Sequence, residues 1–239
     1  MSASAPGAML ATIARRWPTA LLLVWLPLVK WGLPYSGLRF LLFFGGGSAL
    51  AALALWREGH WPRVAPLFAG PLRGVIGALY GYGLLVAAAV PLLYLPLLQP
   101  VLPGVVSELA ALFDPMPVYL LVARGGPYPD PAFATLVAAG SLAEEWIFRT
   151  ALFWRWLPSA ARAAPDASAG LRARLPGPGV LLRLLAVSAG FAALHWPQPP
   201  DALLVALLGS LVLGLVLWWR RSFTLVATLH VLFNWRLLI

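Results

Sequence analysis

Glu144, Glu145 and Arg149, then Phe191 and His195, then His230 and Asn234, fall inside apolar stretches long enough to cross a bilayer. Ionisable groups at that depth are costly, which makes them functional-site candidates by default. Desolvation strengthens a carboxylate as a base. A carboxylate and an imidazole can hold one water between them and take its proton. Two donors on one helix face can hold the oxyanion of a tetrahedral intermediate. The set therefore suits amide hydrolysis, with Glu144 and His195 delivering water and His230 and Asn234 holding the developing negative charge.

Helical spacing sorts these residues. Successive residues of an α-helix are rotated by about 100°, so Glu144 and Glu145 are expected to point different ways. Glu145 and Arg149 are four apart and share a face, acid first. They are expected to pair structurally, which leaves Glu144 for chemistry. Phe191 and His195 share a face in the same way, as do His230 and Asn234. Phe191 reads as packing against the pocket wall. Each signal alone has a plainer reading: two glutamates at a wet helix end, a histidine at an interface, an asparagine joining two helices. Their combination on three apolar segments points to one site.

Those segments belong to an all-α, polytopic transmembrane helix bundle. Of 239 residues, 61% are hydrophobic and 10% charged, where soluble domains carry about a quarter charged. Spans are expected near 18–35, 37–56, 73–98, 132–157, 179–196, 201–219 and 222–238, which makes seven. An eighth would come from 101–122, but Pro103, Glu108, Asp114, Pro115 and Pro117 make that segment read as interfacial or re-entrant. No hydrophilic stretch is long enough for a second domain, so 1–239 reads as a single membrane domain. The first apolar run reads as an uncleaved span. Gly74, Gly77 and Gly81 on the third span could allow close helix packing.

With the N-terminus in the cytoplasm, twelve arginines fall on inside segments, against Lys30, Arg39, Arg124 and Arg236 outside. That asymmetry fits the positive-inside rule. The net charge of +9 is scattered between apolar runs, so it suits lipid headgroups and not nucleic acid. The absence of cysteine excludes disulfides and thiol nucleophiles. An arginine-, alanine- and glycine-rich composition points to a bacterial source, hence the inner membrane. Glu58 and His60 lie beside Arg57 in a connecting segment and are expected to be solvated. Arg155 is expected to mark the nearby cytoplasmic surface.

The order EEWIFR, FAALH and HVLFN resembles the CPBP family. This family groups type II CAAX prenyl endopeptidases with bacteriocin-processing and Abi-like proteins and is described as glutamic intramembrane proteases. The resemblance covers 131–239 as a catalytic core, with 1–130 as accessory helices. It implies an endopeptidase that cuts a membrane-proximal bond in a leader peptide or C-terminal anchor. It implies Glu144 and His195 as water activators, His230 and Asn234 as the oxyanion hole, and Glu145 and Arg149 in support. The partners would be a membrane-anchored protein or peptide substrate and the lipid bilayer. No cofactor is expected. The alternative is zinc held by Glu144, His195 and His230, although no HExxH pair exists. A second class of reading is a non-enzymatic immunity or scaffold protein, or a proton-coupled carrier using the same buried acids.

Overall fold

A computed structural model describes residues 6–34, 37–94, 131–157, 175–196, 198 and 200–236. The expected interfacial segment 101–122 and most of the loop after residue 157 lie outside them. The described residues are helices and the turns between them. Helix α1 is Pro6–Gly32, and α2 is Gly37–Arg57 with a π-helical stretch at Leu41–Gly46. Helix α3 (Trp61–Phe68) bends by 60° into α4 (Pro71–Tyr94). Helix α5, 131–156, runs as an α-helix over Pro131–Glu144, a π-helix over Glu145–Phe153 and a 3-10 turn over Trp154–Trp156. Helices α6 (Pro178–Ala193), α7 (Pro200–Arg220) and α8 (Phe223–Arg236) complete the bundle.

The outside of this bundle is apolar. Leu23, Leu28, Ile76, Leu182, Leu204 and Val212 are all exposed, while Glu145, Arg149 and Arg155 are at most 1% exposed. Apolar side chains out and charges in is the arrangement of a chain solvated by lipid. Gly37–Arg57 and Ala202–Arg220 are long and apolar enough to cross a membrane, and the bent pair Trp61–Phe68 and Pro71–Leu84 makes a third if it is one broken span. Helices α6 and α8 are apolar but only 16 and 14 residues long, so by length and composition the described residues supply two or three crossings where seven were expected.

Packing explains how the N-terminal helices meet α5. The Trp25 indole donates to Leu42 O at 2.9 Å and ties α1 to α2. Trp146 donates to Ser48 O and Trp154 to Arg63 O, each at 3.1 Å, which pins α5 to α2 and α3. Helix α4 lies against α8 at Gly74. A Cβ there would strike Thr224 Oγ1, would sit 2.7 Å from Ser222 Oγ and 2.9 Å from Leu225 N, and backbone cannot yield cheaply. At Gly77 the nearest atom is Leu225 Cδ1 at 3.3 Å, whereas Gly81 has nothing within 4 Å. Close packing thus requires the first of the three glycines, and the third has none. Gly74→Ala is expected to lower stability by about 1–3 kcal/mol through overpacking, while Gly81→Ala leaves the melting temperature in detergent near the parent value. Equal melting of the two variants would show that α4 and α8 do not meet at Gly74.

Candidate functional site

The π-helical segment sets the geometry of the site. Bonding from i to i+5 puts more residues in each turn, so the angular step is smaller than in an α-helix. Glu144 caps this segment and Glu145 opens it. Both carboxylates therefore reach one imidazole. His230 Nδ1 lies 2.8 Å from Glu145 Oε1, and its Nε2 lies 3.6 Å from Glu144 Oε2. The divergence expected from ideal α-geometry is corrected by the wider turn. Glu145 also faces Arg149, with Oε2 3.4 Å from Nε. That contact is an ion pair without hydrogen-bond alignment, and the Nε and both Nη atoms of Arg149 have no hydrogen-bond partner among the described residues. The guanidinium instead lies over the Phe191 ring, with Cζ 4.8 Å from the centroid.

Phe191 is the hinge of the site. Its ring is 4.6 Å from the His195 ring, 6.3 Å from His230 and 5.1 Å from Phe148. It neighbours both imidazoles and carries Arg149 on its face. His195 follows the last turn of α6, where its Nδ1 meets Phe191 O at 2.9 Å. A carbonyl only accepts, so Nδ1 bears the hydrogen and a neutral His195 keeps a lone pair on Nε2. His195 feels the charges of Glu144, Lys30 and His230, which places it in the same electrostatic neighbourhood.

Asn234 has a partner of its own on α5. Its Nδ2 donates to Ser141 Oγ at 2.8 Å, and Ser141 in turn donates to Val137 O at 2.9 Å. His230 and Asn234 thus hold different partners on α5. Ser141 lies three and four residues before the glutamates, on their face, and that spacing is the signal that could have found it. Among the described residues no three His, Asp or Glu side chains are arranged to hold a metal ion.

A second polar cluster lies at the far end of α5. Glu58 is 5% exposed and Arg155 is fully buried, contrary to the solvated pair and surface arginine expected. Thr19 donates to Glu58 Oε1, and Arg155 donates to Thr19. Arg155 Nη1 is 3.7 Å and His60 Nε2 3.6 Å from Glu58 Oε2. Burial holds the His60 imidazole below its usual value, helped by the charges of Arg63 and Arg155 and opposed by Glu58. These ions look solvated by position in the sequence, but α1 folds over them and shuts out water.

Comparison with known proteins adds to this geometry. No curated protein matches the chain, and no solved structure matches it. Residues 128–236 match the family model described as Type II CAAX prenyl endopeptidase Rce1-like. The matched residues contain α5 through α8, and with them every side chain of the His230 site. Over that segment the chain is similar to the type II CAAX prenyl endopeptidases of the Rce1-like kind, a family of CPBP intramembrane proteases.

Proposed function

We propose that this protein is a glutamic-type intramembrane endopeptidase that hydrolyses a membrane-proximal peptide bond without a metal. The observation that carries the reading is His230 held between two carboxylates, at 2.8 Å from Glu145 and 3.6 Å from Glu144. Glu145 fixes the ring, and Arg149 balances the charge of Glu145 in a buried setting. Glu144 is left with an oxygen outside hydrogen-bond distance of His230, in place to accept a proton from water. The lone pair on His195 Nε2 supplies a second acceptor for the same water.

The hydroxide so formed adds to the substrate carbonyl carbon, and the carbonyl π pair moves onto oxygen. His230 can donate to that oxyanion only when both ring nitrogens carry protons. Asn234 keeps a second N–H on the nitrogen that holds Ser141, so it can join as a donor. Collapse of the intermediate breaks the C–N bond, and the proton taken from water passes to the leaving amine.

In this reading residues 131–239 are the catalytic core, and 1–130 are accessory helices of one membrane domain. The chain crosses a bacterial inner membrane seven times with its N-terminus inside. The substrate is a leader peptide or a C-terminal anchor, selected within the bilayer or at its surface.

The test is reconstitution in vesicles with single-span proteins, including a companion encoded nearby that bears a processed tail. Intact-mass analysis is expected to show two fragments that together exceed the substrate by one water. In heavy-oxygen water the label enters the new carboxyl group, and a zinc chelator leaves the rate unchanged. An unchanged substrate mass across such a panel overturns proteolysis, and chelator sensitivity overturns metal-free catalysis.

A further inference from the structure

Lys30 brings a positive charge to the site from outside the matched segment. It sits in the last turn of α1, between buried Val29 and exposed Trp31, and is itself half-buried. Its ammonium lies over the Phe43 ring, with Nζ 5.7 Å from the centroid. It forms no ion pair and donates no hydrogen bond among the described residues. An ammonium carries three N–H donors and is strongly hydrated, and no acceptor among the described residues takes any of the three.

The surroundings of Lys30 are those of the site. The Trp31 indole donates to Trp196 O at 3.3 Å, which joins the residue after Lys30 to the residue after His195. Trp31, Ala193, Trp196 and Leu203 line an open apolar groove of about 350 Å³ at this junction. The charge of Glu144 reaches Lys30, and the charge of Lys30 reaches His195. Arg39 also acts on Lys30, so two cations raise the potential at this mouth. Glu144 is near enough to be felt but forms no ion pair with the ammonium, which leaves Lys30 available to a ligand.

We propose that Lys30 selects peptides carrying a carboxylate close to the scissile bond, with their apolar side chains lying in the groove beside Trp31 and Trp196. The proposal rests on the proteolytic reading of the site and names a preference within it. The carboxylate can be an acidic side chain or the peptide C-terminus, since the ammonium sees the same group in both. A last-turn lysine also complements its helix dipole, but that role has no bearing on which peptide binds.

The test is a binding measurement, so it does not depend on turnover. Protein carrying Glu144→Gln is titrated in nanodiscs with an apolar hexapeptide of leucine and alanine. The peptide is made as a C-terminal acid, as a C-terminal amide, and as an amide with one internal glutamate. Binding is followed by tryptophan fluorescence. At least one carboxylate peptide is expected to bind about tenfold tighter than the neutral amide, and which one does so identifies the source. Adding Lys30→Met is expected to erase that preference, and Lys30→Arg to keep it. Equal affinity of all three peptides, no measurable binding of any, or a preference that survives Lys30→Met overturns the proposal. Loss of binding for every peptide in a Lys30→Met protein that melts normally assigns Lys30 to general positioning and also overturns it.

Discussion

Glu144→Gln is expected to lower the rate of peptide-bond cleavage by about 10²–10⁴-fold, the usual contribution of a positioned general base. The substitution keeps the shape of the side chain and its contact with His230, and removes only the ability to take a proton. Because Glu144 is partly exposed and its contact with His230 is a loose 3.6 Å, its loss should leave the melting temperature close to that of the parent. Substrate binding should also survive, so the effect falls on kcat and not on KM. Normal cleavage by this variant would remove Glu144 from the base role. A protein that never cuts, but loses ion-driven uptake on the same substitution, would be a carrier.

The polar side chains that meet around His230 could be singled out in the sequence because polar residues are scarce in an apolar chain and each one stands out. The four-residue spacing of Glu145 and Arg149 corresponds to their 3.4 Å ion pair, and that of Phe191 and His195 to the bond from Nδ1 to the Phe191 carbonyl. The sharing of His230 by Glu144 and Glu145 was not legible. It depends on a π-turn, and helical-wheel arithmetic assumes the α-turn throughout. Packing against neighbouring helices decides between the two, and one chain's periodicity does not contain that information. Lys30 was read only as a topology charge, because nothing local in VKWG reveals that it sits beside residues more than a hundred positions away. Glu58 and Arg155 failed in the same way. Each borders a loop, and their burial comes from α1, whose Thr19 bridges them across the end of α5.

Glu145→Leu should be the more damaging change to the fold. Glu145 is fully buried and is the acid paired with Arg149. Its removal leaves a buried guanidinium whose Nε and Nη groups have no other partner among the described residues and only the Phe191 ring for compensation. Breaking one side of such a pair costs about 3–5 kcal/mol, whereas replacing both partners with apolar residues is often neutral or stabilising. Glu145→Leu with Arg149→Met is therefore expected to regain most of the lost melting temperature. Activity should not return with it. His230 would still lack the acceptor at Nδ1 that fixes its ring, so both the single and the double variant stay poorly active for a reason independent of stability. A double variant that melts as low as Glu145→Leu would show that the guanidinium is not what the carboxylate neutralises. A double variant that recovers both melting temperature and cleavage would show that the bond between Glu145 and His230 does not orient the catalytic imidazole.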